Sequence, residues 1–297
     1  MSIKPIHIDL EELLKNKVPK YYPYIPGALI RWLERTICQD ELNRLLDNNA
    51  GKEGVEFADS ILRDLDVKVK VIGAENLPAD GSRRCVFVSN HPLGGLDGIA
   101  LISLLGHHYD GKIKCVVNDM LMQVHPLAGV FLPANKHGRQ SEADVLRINE
   151  AFAGSDQMLY FPAGLCSRRQ KGGVVADLDW KKSFVAKSVE YERDVVPIFF
   201  GGQNSDFFYK FARLRQRIGI KLNIEMVYLP SEMFKSRGST FTVVVGKPIP
   251  WNTFTGGKKA AEYAADVKNI VYNLKENIRH ICHGNYNRTS ECPTDRS

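Results

Sequence analysis

No stretch of this chain stays apolar for the roughly 18 residues that a membrane span requires, which excludes an integral helical anchor from the sequence reading. The opening MSIKPIHIDLEELLKNK lacks the apolar centre of a secretory signal, so the expectation is a protein that is soluble or bound at a membrane surface. The six cysteines form no CxxC pair, and Cys85 and Cys115 sit in apolar runs where a thiol acts as a small hydrophobe. A disulfide framework is therefore not expected, and a reducing compartment is. No GxSxG elbow, P-loop or dinucleotide fingerprint is present, which removes the common serine hydrolase, nucleotide hydrolase and dehydrogenase signatures. His107, His108, His125 and the late HICH lack zinc-site spacing, so no metal is expected. No repeat or low-complexity segment interrupts the chain.

What is present is an ordinary globular composition, 44% hydrophobic over 297 residues, enough to bury a core. The net charge of +6 favours anionic partners without choosing among them. No nucleic-acid-binding module accompanies the basic residues, so nucleic acid is not an expected partner.

Residues 1 to about 65 read as helical. One helix is expected from Pro26 to Asn49, with apolar residues such as Leu29, Ile30, Leu33, Ile37, Leu42 and Leu45 near helical spacing, and another over EGVEFADSILRDLD. The texture then changes. VKVKVIG, RCVFVSN, IKCVVN, GVFLPAN, QMLYFPA, DVVPIFF and FTVVVG read as seven strands. Helices are expected between them near 97–106, 141–154, 181–193 and 205–218, with a last one from about Lys258 to His280. Alternation of this kind predicts an α/β fold: a mixed, mostly parallel sheet flanked by helices. The expected organisation is an N-terminal helical region over 1–65, an α/β domain over 66–283 and a polar tail over 284–297.

The stretch VFVSNHPLGGLDGIALISLLG places Asn90 and His91 at a strand end and Asp97 where an apolar helix begins. Functional groups collect at the carboxyl ends of strands in such sheets, and an ionised carboxylate is favoured at a helix N-terminus. Within a regular helix, residues six apart would point about 120° away from each other. Contact between His91 and Asp97 thus requires a turn, which Pro92, Gly94 and Gly95 permit. In contact, a neutral imidazole can take a proton from an attacking hydroxyl while the carboxylate fixes its tautomer. The plainer reading is a strand-end histidine bonded to a loop, with Asp97 as a helix cap.

SNHPLGGLDG resembles the first motif of the glycerolipid acyltransferase superfamily, which includes 1-acylglycerol-3-phosphate acyltransferases. That motif reads Asn-His, four residues, then Asp; this chain has five residues between His91 and Asp97. Further matches follow in the family's order. HPLAGVFLPANK resembles the second motif, with Lys136 at the basic position. YFPAGLCSRR resembles the third, which usually reads Phe-Pro-Glu-Gly-Thr-Arg-Ser; here Ala163 replaces the glutamate, Gly164 follows it, and Arg168 and Arg169 stand for the displaced arginine. VVPIFF and VVVGKPIPW resemble the strands that come next.

The resemblance implies an O-acyltransferase that moves a fatty acyl group from acyl carrier protein or coenzyme A thioester to the hydroxyl of a lyso-lipid, with no bound cofactor. It implies His91 as general base and Asp97 as its orienting carboxylate. Asn90 and the backbone at Gly94 and Gly95 would shape the site, and Lys136, Gly164, Arg168 and Arg169 would contact the acceptor. The missing glutamate turns the expected acceptor from a glycerol phosphate toward a lyso-aminolipid bearing a carboxylate, as in bacterial aminolipid O-acyltransferases. A cytoplasmic enzyme, peripheral on the inner face of the cell membrane, is implied. The altered spacing and the missing glutamate also admit a catalytically inactive lipid-binding protein of the same fold; hydrolysis of the thioester without an acceptor is a third reading.

Three further stretches stand out. KYYPYIPGALIRWLERTI mixes aromatics with cations and is read as a membrane-surface segment. FFYKFARLRQRIGIK is read as a helix packed on the core with a solvated basic face, the alternative being a helix that binds an acidic carrier protein or anionic lipid. RRQKGG, after the third motif, is read as an anion clamp.

Overall fold

The computed structural model describes residues 7–79, 81, 83–134, 141–220 and 222–276. The chain opens with helices α1 (Leu10–Lys17), α2 (Gly27–Thr36), α3 (Gln39–Asn48) and α4 (Gly54–Asp64). The single helix expected from Pro26 to Asn49 is two. Cys38 adopts a left-handed backbone, φ 54°, and breaks it. No glycine or proline marks the break, which is why helical spacing alone ran through it.

The rest alternates. Strands β1 (Lys68–Ile72) and β2 (Cys85–Ser89) precede α5 (Leu96–His108), and β3 (Ile113–Asn118) and β4 (Phe131–Ala134) precede α6 (Glu142–Ala153). Then come β5 (Gln157–Tyr160), a small hairpin of β6 (Arg168–Arg169) and β7 (Val175–Ala176), α7 (Ser183–Glu190), β8 (Asp194–Phe200), α8 (Asp206–Arg217), α9 (Leu229–Lys235), β9 (Thr240–Val245) and α10 (Ala260–Asn273). All seven expected strands form. The β6–β7 hairpin and α9 were not read from the sequence, being too short to carry a periodic signal. The expected last helix forms over Ala260–Asn273; residues 277–280 and the tail over 284–297 lie outside the described residues.

The seven strands form one sheet in the order β1-β9-β8-β2-β5-β3-β4. Every neighbouring pair is parallel except β8 and β9, so the sheet is mixed and mostly parallel, as expected. Its strands are covered on both faces. Along β2, Cys85 and Phe87 enter the core beneath α4 and α5, while Val86 and Val88 enter the core beneath α6, α7 and α10. A strand buried on both faces needs apolar residues at every position, hence the run CVFVS. Each fully buried Val, Leu or Phe contributes about 1.5–3 kcal/mol relative to exposure. The central strands β8, β2 and β5 are thereby fixed in register, with Ser89 opposite Ile198 and Val88 opposite Tyr160. Their carboxyl ends lie side by side.

Candidate active site

His91 leaves the end of β2, and Asp97 stands in the first turn of α5. Between them the chain turns at Gly94, whose φ is +78°. A side chain there would be doubly opposed, since an added Cβ would stand 2.8 Å from Leu229 Cδ1 and 3.0 Å from Cys166 Cβ. Gly95 is different: its backbone is extended, it is exposed, and a Cβ would meet nothing within 4 Å.

The turn brings His91 Nδ1 to 3.0 Å from Asp97 Oδ2. With Nδ1 donating to the carboxylate, Nε2 of the neutral ring is left as an acceptor. The histidine side chain is 17% exposed and that of Asp97 is wholly buried. Asp97 is well compensated: Oδ2 also accepts from the Leu93 N–H at 3.0 Å and the Gly94 N–H at 3.4 Å, and Oδ1 from the Gly98 N–H at 2.9 Å. Burial pushes its carboxyl up, but the neighbouring His91 and the backbone donors outweigh this and hold it below the ordinary carboxylate value. The extra residue in the loop is absorbed at the glycines without separating the pair.

The histidine is held from three more sides. Phe161, just past β5, lies against the imidazole with ring centroids 4.3 Å apart. The Ser167 N–H donates to the His91 carbonyl at 2.7 Å, and the His91 N–H donates to Asp177 Oδ1 at 3.2 Å. Asp177 is buried and also accepts from Ser167 Oγ at 2.6 Å and Trp180 Nε1 at 2.8 Å. Burial raises its carboxyl above the ordinary value against these donors. Asp177, Ser167 and Phe161 were not singled out from the sequence. They lie 70 to 86 positions from His91 and only the pairing of β2 with β5 brings them near.

Neither Ser167 nor Cys166 is poised as a nucleophile. The serine hydroxyl is committed to Asp177, and burial pushes the Cys166 thiol up to about 11.

The other expected residues divide. Asn90 is buried, and its amide exchanges two hydrogen bonds with the Phe200 backbone, at 2.9 and 2.7 Å. It locks the end of β2 to the end of β8, and its side chain is spoken for. Gly164 takes a positive φ of 68° in the turn after β5, its N–H donating to the Phe161 carbonyl. Arg168 does not face an open acceptor site: it is buried, pairs with Glu225 at 2.7 Å, and donates to the Cys166 carbonyl at 2.8 Å. Glu225 is shared with Arg215, also at 2.7 Å, and two cations on one carboxylate account for its burial. Arg169 is less buried, pairs with the exposed Asp206 and lies over the Tyr209 ring. The RRQKGG stretch supplies β6 and the turn of the β6–β7 hairpin, with Gly172 and Gly173 at positive φ. Lys136 lies outside the described residues. Among those described, no three His, Cys, Asp or Glu side chains cluster as a metal site.

A partly exposed imidazole backed by a buried carboxylate, with neither Ser167 nor Cys166 free to act as nucleophile, can deprotonate an incoming hydroxyl. Comparison with known proteins gives this geometry a family. A family model described as Acyltransferase matches residues 12–280. The chain belongs to the acyltransferase family. This acyltransferase is 51% identical over 267 residues to a lyso-glycine lipid O-acyltransferase of Bacteroides thetaiotaomicron, covering 90% of this chain and 97% of that protein. It is 50% identical over 267 residues to the enzyme of the same name from Phocaeicola vulgatus, covering 90% and 95%. Among solved structures, the 1-acyl-sn-glycerophosphate acyltransferase PlsC from Thermotoga maritima aligns over 90% of this chain and 97% of its own, with 14% identity and a TM-score of 0.44.

Proposed function

We propose that this acyltransferase moves a fatty acyl group from a thioester, of acyl carrier protein or coenzyme A, onto the hydroxyl of a lyso-glycine lipid. The observation that carries the reading is the 3.0 Å contact of His91 with buried Asp97 at the end of the central strands. The relatives' name supplies the acceptor. Ala163, where glycerol-phosphate enzymes of the superfamily carry glutamate, agrees with a carboxylate headgroup in place of a phosphate.

His91 Nε2 takes the proton of the acceptor hydroxyl as its oxygen attacks the thioester carbonyl carbon. Asp97 stabilises the imidazolium that forms. The tetrahedral oxyanion collapses, the carbon–sulfur bond breaks, and the imidazolium returns the proton to the departing thiolate. No acyl-enzyme forms. The Gly95 N–H, exposed at the start of α5, is the proposed donor to the oxyanion. Asn90 acts through position, by tying the β2 end to β8. Arg169 is the proposed headgroup contact, and Arg168 supports it from the buried pair with Glu225.

No helix among the described residues is long and apolar enough to cross a membrane. The proposed location is peripheral, on the cytoplasmic face of the cell membrane, where lyso-lipids are found. The inactive-protein alternative rests on the five-residue spacing and the missing glutamate; the His91–Asp97 contact supports the active reading against the first of these.

The test is an acceptor panel. Purified protein is given acyl carrier protein or coenzyme A thioesters with lyso-glycine lipid, lysophosphatidic acid or no acceptor, and products are followed by mass. A diacylated glycine lipid is the expected product. Efficient acylation of lysophosphatidic acid alone, or thiol release without an acceptor, would overturn the reading.

A further inference from the structure

Helix α8 carries two apolar stripes. Phe208, Tyr209 and Ala212 face inward and are buried. Phe207, Phe211, Leu214 and Ile218 fall at i, i+4, i+7 and i+11 on a second stripe about 100° away, and three of these four are exposed. Ile218 is 62% exposed, and the chain beyond continues the surface with Leu222 at 72%. A helix that serves only to cover a core has no use for the second stripe.

The second stripe does not stand alone. Phe207 and Phe211 both pack edge-on against Tyr228, at 5.0 and 5.3 Å between centroids, and Trp32 of α2 meets the same tyrosine at 6.3 Å. Trp32 and Leu29 of α2 are themselves exposed. Two segments nearly 200 residues apart thus contribute to one apolar patch. Along the α8 side of the patch the charge has one sign. Residues 207 to 224 contain no Asp or Glu, and Lys210, Arg213 and Arg217 form a row beside the stripe. Arg213 and Arg217 form no ion pair among the described residues, whereas Arg215, on the core side, pairs with Glu225.

The patch also adjoins the reaction centre. Asp206, the first residue of α8, pairs with Arg169, two positions after the Ser167 that holds the His91 backbone.

We propose that the outer stripe of α8, with exposed Ile220, Leu222 and Ile224 and the exposed edge of α2, is a docking surface for an anionic lipid bilayer. The occupant follows from the chemistry: exposed aromatic and branched aliphatic side chains enter the interfacial layer, while unpaired arginines beside them meet anionic headgroups. The helix read from sequence as a core element with a solvated basic face therefore has an outward apolar face as well. Docking there sets the Arg169 edge of the site against the bilayer, so that a lyso-lipid reaches His91 without crossing water. The surface goes beyond the proposed reaction, and its test requires no turnover.

The experiment is co-sedimentation of the full chain with vesicles of phosphatidylethanolamine containing 30% phosphatidylglycerol, and with phosphatidylcholine vesicles. Wild type is compared with Leu214→Ser/Ile218→Ser/Leu222→Ser and with Arg213→Gln/Arg217→Gln, each checked for folding by circular dichroism. The expected results are binding of wild type to the anionic vesicles, a loss of about tenfold or more in partitioning for the serine variant, and a smaller loss for the glutamine variant that is erased in high salt. Wild type that does not sediment with anionic vesicles, or a folded serine variant that binds as well as wild type, would overturn the proposal. So would a wild-type dimer in gel filtration that the serine variant converts to monomer, since the patch would then cover a second copy of this chain.

Discussion

The backbone N–H of His91 is bonded to Asp177 Oδ1, 86 residues further along the chain, at 3.2 Å. The same carboxylate oxygen holds the Ser167 hydroxyl, whose own backbone N–H holds the His91 carbonyl. The histidine is therefore fixed at its main chain by one carboxylate and at its ring by another.

Asp177 is a positioning residue on this account. In Asp177→Asn, the amide N–H₂ opposes either Trp180 Nε1–H or the His91 N–H, and one bond of the clamp is lost. The expected outcome is a fall of about ten- to a hundredfold in kcat with little change in KM, because geometry at the ring suffers and the acceptor contacts do not. Steady-state kinetics on the folded variant checks it. A change confined to KM would point to a binding role instead.

The two carboxylates give opposite pH signatures. Asp97 is held below its ordinary value of 3.8, so its contribution to stability is present above that pH and is lost as pH falls through the lowered value. Asp177 is held above its ordinary value, so its contribution is present at low pH and is lost as pH rises through the raised value. Urea unfolding between pH 3 and pH 7 should show the stability gap between wild type and Asp97→Asn widening with pH, and the gap to Asp177→Asn narrowing. Gaps that change in the same direction would contradict the assignment.

The two loop glycines should differ. Gly94→Ala forces an alanine to a positive φ and against Leu229 and Cys166. A cost of about 1–3 kcal/mol is expected. Gly95→Ala meets open space and should stay within about 1 kcal/mol of wild type. Thermal unfolding of the two single variants, run side by side, measures the contrast.

Arg168 separates a structural from an acceptor-contact role. Removing it leaves Glu225 buried with Arg215 alone, and Arg168→Ala should cost about 3–5 kcal/mol of stability. Arg169→Ala, whose partner Asp206 is exposed, should be nearly neutral for folding and raise KM for the lipid acceptor. An Arg168→Ala protein of wild-type stability would contradict the buried pairing.

The strands were legible because burial on both faces of a parallel sheet demands unbroken apolar runs such as CVFVS and DVVPIFF. The His91–Asp97 contact was legible as a possibility, since the glycines between them permit a turn. Its partners were not. Asp177 sits in VVADLDW, too short a stretch to carry a periodic signal, and its role depends on a hairpin of two-residue strands. Arg168 looked free for a ligand because Glu225, 57 residues later, carries no local mark of pairing with it. The break at Cys38 was hidden for a related reason: a left-handed residue of ordinary type leaves no signal in helical spacing.

The most direct test of the central claim is turnover by His91→Ala, with the lyso-glycine lipid and an acyl thioester, followed by the mass of the diacylated product. If His91 is the base, the folded variant loses about 100-fold or more in kcat. Near-wild-type product formation by a folded His91→Ala protein would contradict it and place the base elsewhere.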